Sequence, residues 1–429
     1  GFDGRREVMA KRSTARKDTR ILAFVMAGGG GTRLMPLTAE RSKPSVPFGG
    51  RYRIVDFALS NLINSDIHSI YLLVQYKSQS LIEHVRKAWV LSPMLTNHFV
   101  TVVPPQQLGD RPEWFQGTAD AVRQNLELLR MHQPDMVLVF GADHIYRMDV
   151  RQMVAFHREH DAEITVSALP VPLQQARGFG IIDTEADGRI RDFREKPQQP
   201  PPMPGRPTHA FASMGNYLFQ ADVLVDALEE AGARGENDFG RHVLPRLMKS
   251  HRLFAYDFST NEVPGTKAYE EPAYWRDVGT IEAYFNAHQD VLGLEPRFDA
   301  FNPAWPIFSS NYQGPVTRIL GGSIENSIFA GGTVIKGGRV RNSVLRREVV
   351  LEPDVELDQC IISDYVHIKR GARLRRVIVD QYNVIEAGTQ IGFDPEQDAK
   401  RYTVAPGGIV VVPMGQAGSG PRSSFEEQV

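Results

Sequence analysis

From Val316 onward, aliphatic residues recur about every six positions: Ile328, Val334 and Val340; Val349, Val355 and Ile361; Val379, Ile385 and Ile391. Glycine and asparagine punctuate the intervals. A six-residue period with tight turns predicts a left-handed parallel β-helix, each coil having three short sides with its aliphatics stacked inward. The frame slips near Arg370–Arg376, so some coils are expected to be imperfect. The competing architecture is a β-sandwich of short strands.

The preceding part has a different rhythm. Short apolar runs are read as strands at Ile21–Ala27, Ser69–Val74, Phe99–Val103, Met136–Phe140, Ile164–Ala168, Ser213–Phe219 and Leu253–Phe258. Amphipathic stretches lie between them. Thr118–Met131 is one, with Val122, Leu126 and Leu129 on one face and Thr118 as its expected N-cap. Alternating strand and helix predicts an α/β domain with a mostly parallel sheet. The expected organisation is an α/β domain over 20–295, a proline-rich connection over 296–315, the β-helix over 316–412 and a polar tail over 413–429. The loop QQPPPMPGRP, Gln198–Pro207, is inserted in the first domain.

Composition narrows the function classes. The net charge is −2, so no global field attracts nucleic acid or an anionic membrane. The apolar runs are too short to span a bilayer, and the first twenty residues, polar and basic, do not read as a signal peptide. Gly1–Val8 is set aside as an expression remnant. The single cysteine, Cys360, precludes an intramolecular disulfide and fits a reducing compartment.

Chemistry concentrates at the ends of the expected strands. GGGGTRL, Gly28–Leu34, directly follows the first one. Adjacent glycines let the backbone approach a phosphate and aim several N–H groups at one anion. The run lacks the Gly-Lys-Ser/Thr ending of a P-loop. Arg33 follows instead, a bidentate phosphate ligand. Lys43-Pro44 places a cation beside a rigid bend. Asp56, Asn61 and Asn64 dot a helical apolar stretch, where capping and function are both open. Gln75, then Gln106 and Gln107, then Asp143 follow successive strands. In an open α/β sheet the ligand lies outside the carboxyl ends of the strands, so these residues describe one pocket. Amides suit a base edge and an acid suits a metal ion. Asp277, in YWRDVGT, is the second candidate acid, and two such carboxylates could hold Mg²⁺. His144 is read as structural. Glu195-Lys196-Pro197 could face a sugar phosphate. No nucleophile triad stands out.

These residues resemble a known family. GGGGTRL, KPSVPFGGRYRIVDFALSNLINS, GTADAV, GADHIYRMD, GFGII, FREKP, ASMGNYLF and YWRDVGTIEAY are similar to segments of bacterial ADP-glucose pyrophosphorylases. The similarity runs from about Ile21 to Gly408. It implies a Rossmann-like nucleotidyltransferase domain followed by a left-handed β-helix, a cytoplasmic homotetramer, and adenylyl transfer from ATP to glucose 1-phosphate for glycogen synthesis. By motif match, Arg33, Lys43, Gly28, Gly29, Gly31, Thr32, Gln75, Gln106, Gly117 and Thr118 would serve ATP. Phe115, Gly180, Glu195, Lys196 and Ser213 would serve glucose 1-phosphate. Asp143 and Asp277 would carry Mg²⁺. Regulation by small anionic metabolites is implied as well. Arg41 and Lys43 are the candidate effector cations, against the alternatives that Lys43 meets only ATP or that Arg41 pairs with Glu40.

Three positions depart from the family pattern. Gly30 stands where the glycine loop commonly has Arg. Phe115 stands where Tyr is common, and it cannot donate a hydroxyl hydrogen bond. Glu40 stands where enteric members carry a Lys for an activating sugar bisphosphate. The competing functions are a UDP- or GDP-sugar nucleotidylyltransferase, a regulatory subunit and an acyltransferase. Retention of Asp143, Lys196 and Asp277 argues against the second. His367 is the only histidine in the coils, which argues against the third.

Overall fold

The computed structural model describes residues 18–75, 77–105 and 114–416. Residues 1–8, Gln106, Gln107 and most of the expected tail lie outside them.

The chain first builds a nine-stranded mixed sheet. Strand β1, Ile21–Ala27, is central. It is continuously apolar because both its faces are covered. Leu22 and Phe24 enter the core on one side, and Ala23, Val25 and Ala27 enter the core on the other. Strands β2 (Ser69–Val74), β3 (Phe99–Val103) and β4 (Met136–Gly141) continue the sheet in parallel around β1. Beyond β4 the sheet turns antiparallel through a long strand, His209–Gln220, whose register breaks between Ser213 and Tyr217. The hairpin Gly180–Thr184 and Ile190–Glu195 forms the far edge. The sheet is thus parallel around β1 and antiparallel where it meets this hairpin.

The helix expected over Thr118–Met131 is two helices, Thr118–Arg123 and Leu126–His132. Between them the Asn125 side-chain amide donates to the Ala121 carbonyl at 2.8 Å. Thr118 is not the N-cap, which is Gly117. The first turn is satisfied instead by the Asn237 carbonyl, which accepts from the N–H groups of Ala119 and Asp120.

From Arg318 to Val412 the chain winds into a three-sided parallel β-helix. Val334 pairs with Val350 and Val350 with His367, so successive coils take 16 and then 17 residues. Coils shorter than three full hexapeptides explain the slipping frame. Corners are turned by left-handed residues stacked one coil apart, such as Asn342, Gln359 and Arg376, or Glu348, Tyr365 and Tyr382. At Gly338, φ is +93° and a Cβ would fall 2.1 Å from the Val355 carbonyl oxygen, so only glycine fits.

The two parts share an apolar core. Phe48, Phe57, Tyr284 and Phe285 of the first pack in one cluster with Ile361, Ile378 and Val411 of the second. Asp56, Asn61 and Asn64 anchor the connection between them. Asp56 accepts from Ser309 Oγ at 2.7 Å, from His84 Nε2 at 2.6 Å and from Trp89 Nε1 at 2.9 Å. Asn61 accepts from Trp305 Nε1, and Asn64 donates to the Pro306 carbonyl. Among the described residues no helix is long and apolar enough to cross a membrane.

Candidate active site

A cleft of about 520 Å³ opens at the carboxyl ends of β1, β2 and β4. Gly28, Gly29, Gln75, Phe115, Gly117, Thr118 and Asp143 all line it. The Gln75 amide donates to the Phe115 carbonyl at 3.4 Å. A Cβ on Gly28 would stand 3.3 Å from Gln75 Oε1, whereas Gly29 has open space on that side. A second cleft of about 210 Å³ shares Gly29 and Asp143 with the first and is lined by Gly31, Thr32, Arg33, Lys43, Asp277 and Gly279. Gly31 has φ +61°, and a Cβ there would press on Lys43 Cβ at 3.0 Å and on Thr38. The absent side chain brings the glycine loop down onto the lysine. Gln106 lies outside the described residues.

The charged centre of the site is Lys43. Its Nζ lies 2.8 Å from Asp277 Oδ1 and 3.3 Å from Asp143 Oδ2. A small ribbon makes this possible: Trp275–Asp277 pairs antiparallel with His144–Tyr146, putting Asp277 opposite His144. Two acids distant in sequence are thereby set side by side. Burial alone would push the Lys43 ammonium down, but Asp143 and Asp277 outweigh it and hold the group above its ordinary value. Burial would likewise push the Asp143 carboxyl up, but the neighbouring His144 and Lys43 hold it below the usual range. The Lys43 side chain is 7% exposed, and the two carboxylates keep about a third of their surface, 36% and 35%, open to the cleft. Arg33 rests on Gly279, where a Cβ would approach its Nη2 to 2.9 Å. Three anion-seeking backbone or side-chain elements thus surround one pair of acids.

The residues expected to serve the sugar sit beside the wider cleft, on its antiparallel flank. Glu195 is cross-strand from Gly180, where a Cβ would meet Glu195 Oε2 at 3.1 Å. Lys196 has φ +44° and its N–H donates to the Phe179 carbonyl, so the backbone turns sharply at this cation. Ser213 stands at the strand irregularity and accepts from the Gly215 N–H at 3.2 Å. None of these four lines the cleft itself. Gly215, Tyr217 and Asp238 do. Burial pushes the Tyr217 hydroxyl up; Asp238 and Glu195 act the same way, while a hydrogen bond with Ser213 opposes them. Tyr217 therefore joins the two groups. Sequence reasoning missed Tyr217 and Asp238. The only available signal was the glycine inside a strand pattern at Gly215, which marks a bulge beside a site.

His144 was read as structural, yet it lines the cleft and stacks on Trp275, with ring centroids 4.5 Å apart. Arg41 points the other way. It is buried, and its Nη2 donates to both oxygens of Asp380 in the β-helix at 2.9 Å. Neither a partnership with Glu40 nor a free guanidinium is what the fold provides. A broader groove of about 920 Å³ lies at the opposite end of β1, lined by Asp18, Thr19, Asp66, Arg151 and Arg158 among others. It holds none of the expected site residues and is bounded by the first described residue.

Comparison with known proteins agrees with this layout. The family profile described as Nucleotidyl transferase matches residues 22–293, and the one described as GlmU-like, C-terminal hexapeptide matches residues 317–412. The glucose-1-phosphate adenylyltransferase of Thermodesulfovibrio yellowstonii is 57% identical over 396 residues, covering 92% of this chain and 96% of its own length. Those of Thermus thermophilus and Corynebacterium jeikeium are 45% and 44% identical, each covering 92% of this chain and 98% of its own length. The hexapeptide match accords with a left-handed β-helix rather than a sandwich. Similarity of this extent, across both domains, makes the chain a member of the glucose-1-phosphate adenylyltransferase family of nucleotidyltransferase enzymes.

Proposed function

We propose that this chain transfers the adenylyl group of ATP to glucose 1-phosphate, releasing pyrophosphate and forming ADP-glucose for glycogen synthesis. The observation that carries the reading is the convergence of Asp143 and Asp277 on a single cation, the Lys43 ammonium, beside a glycine loop and Arg33. Family membership supports the choice of substrates.

A phosphate oxygen of glucose 1-phosphate attacks the α-phosphorus of ATP, and the bond to the bridging β-phosphate oxygen breaks as pyrophosphate leaves. The nucleophile is already ionised near neutral pH, so no general base is needed. The barrier comes from bringing anions together. Arg33 and Lys43 offer positive charge on the phosphate side. The glycine loop lets the backbone approach the phosphates closely. Gln75, which lines the cleft, would serve the nucleoside, and Gln106 is assigned the same role by the family resemblance. Lys196, Glu195, Gly180 and Ser213 take the sugar phosphate, and Phe115 packs on the sugar.

Two carboxylates converging on one cation suit a divalent metal that also binds substrate phosphates. Asp143 and Asp277 would hold Mg²⁺, which when bound neutralises developing phosphate charge. The lowered Asp143 carboxyl is anionic at neutral pH, as a metal ligand must be, and its lowered proton affinity makes it a weak proton acceptor.

Regulation by small anionic metabolites, a homotetramer and a cytoplasmic setting complete the reading. The family resemblance supports the first two, and the lone, buried Cys360 fits the third. An effector anion binding Arg41 would have to displace Asp380.

The test is pyrophosphate release with glucose 1-phosphate and each of ATP, CTP, GTP and UTP, with and without glycolytic intermediates. ATP is expected to dominate. Preference for UTP or GTP would replace the reading with another sugar nucleotide, and no release with any of the four would remove it.

A further inference from the structure

Lys43 is held from two directions. Its ammonium meets the two acids of the α/β domain. Its backbone belongs to a segment gripped from below by the β-helix. Two residues before it, Arg41 makes its paired hydrogen bond to Asp380, and side-chain exposures of 3% and 1% shield both groups from water. Just after it, Arg346 of the β-helix donates to the carbonyls of Gly49 and Tyr52 at 3.2 and 2.8 Å, and Asp364 accepts from Arg346 Nε at 3.3 Å. The intervening turn, Lys43–Ser45, is short and stiffened by Pro44.

This geometry separates two kinds of contact. The apolar cluster between the domains can hold them together without fixing a side chain. The Arg41–Asp380 pair is directional, and it sits two residues from the site's central cation. One guanidinium nitrogen, Arg41 Nη2, held between both oxygens of a buried carboxylate, fixes the start of the turn from which the Lys43 side chain projects.

We propose that Asp380, acting through Arg41, is a positioning residue for Lys43 in adenylyl transfer; this rests on the function proposed above. A β-helix residue far from the chemistry thereby sets where the cation meets the phosphates. Misplacement of a reacting or charge-stabilising group by about 1 Å can cost on the order of 100-fold in rate.

A double-mutant cycle in the full chain tests it, combining Asp380→Asn with Lys43→Ala. It is read both in turnover and in ATP affinity, the latter by calorimetry without glucose 1-phosphate. With Lys43 present, Asp380→Asn should lower kcat roughly 10- to 100-fold and leave the KM for glucose 1-phosphate nearly unchanged. In the Lys43→Ala background the same change should cost less than about twofold. Equal losses in both backgrounds would mean a merely structural pair and overturn the proposal, as would unchanged turnover in Asp380→Asn. If Asp380→Asn does not fold, Arg41→Met with Asp380→Leu replaces the pair by apolar groups that preserve packing, and the cycle is repeated with that pair. Arg341→Ala is the control. Arg341 is exposed and pairs with Asp358 within the β-helix, so no coupling to Lys43 is expected. A wild type unable to use ATP and glucose 1-phosphate would defeat the function reading alone, because coupling in ATP affinity still decides this one.

Discussion

The two domains place their residues by different rules. In the β-helix, paired neighbours are 16 or 17 residues apart until the last strand, where the inserted helix Pro395–Arg401 separates Ile378 from Val411, and the inward positions are almost all aliphatic. In the α/β domain, Lys43 meets partners 100 and 234 residues away. The first arrangement is a repeat, so each coil repeats the same few constraints. The second has no period, and each contact depends on the whole topology of the sheet. A repeat makes a brace, and a site made of distant residues needs one. The Phe48–Ile361 cluster and the Arg41–Asp380 pair are where the brace meets the site.

The largest expected effect comes from removing the brace. Deleting residues 316–429 strips partners from Phe48, Tyr284 and Phe285 and leaves Arg41 without its carboxylate. We expect aggregated or inactive protein by size-exclusion chromatography and pyrophosphate release. A soluble, fully active fragment of residues 17–315 would break the comparison outright.

Next comes the site itself. Asp143→Asn removes a charge with little change of volume, so the melting transition should remain near that of wild type. Loss of one charge-stabilising element typically lowers turnover about 10²–10³-fold. A variant keeping more than a tenth of wild-type turnover at saturating Mg²⁺ would remove Asp143 as a metal ligand.

Lys196→Gln asks whether the antiparallel flank serves the sugar. A charged hydrogen bond is worth about 1.5–3 kcal/mol, or roughly 10–150-fold. That loss should fall on the KM for glucose 1-phosphate far more than on that for ATP. Equal effects on both substrates would contradict the division of the cleft.

The smallest effect compares two corners of the repeat. Gly338→Ala puts a Cβ 2.1 Å from a carbonyl, whereas at Gly371 the left-handed backbone has nothing within 4 Å. Both substitutions carry conformational strain, but only the first must also push backbone apart. Gly338→Ala should cost about 1–3 kcal/mol more than Gly371→Ala in urea unfolding. Equal costs would mean that corner packing contributes nothing beyond the dihedral angle.

The legibility of the chain follows the same division. The strands of the parallel region match their sequence spans closely: Ile21–Ala27 and Ser69–Val74 agree to the residue because an inner strand covered on both faces is a nearly continuous apolar run, and the edge strand Phe99–Val103, buried only at Val103, agrees through its run of β-branched and aromatic residues. The six-residue period marked the coils for the same reason, burial on one side at fixed intervals. The glycine loop, Gln75 and Asp143 were legible because they follow strands. The break at Asn125 was not, since a side-chain amide competing for a backbone carbonyl leaves the apolar pattern intact. Tyr217 and Asp238 were missed because each sits in an ordinary local pattern and gains its place only when the strand breaks register beside Gly215. The Arg41–Asp380 pair spans 339 residues, and no local rule connects its members.

The central claim is that the α-phosphorus of ATP is transferred to the oxygen of glucose 1-phosphate. Radiolabelled ATP tests it most directly. With label at the α-phosphate, wild type should place radioactivity in a sugar nucleotide; with label at the γ-phosphate, it should place it in pyrophosphate. Asp143→Asn should slow both to the same extent. Transfer of the γ-label to the sugar phosphate, or its release as orthophosphate, would contradict the account.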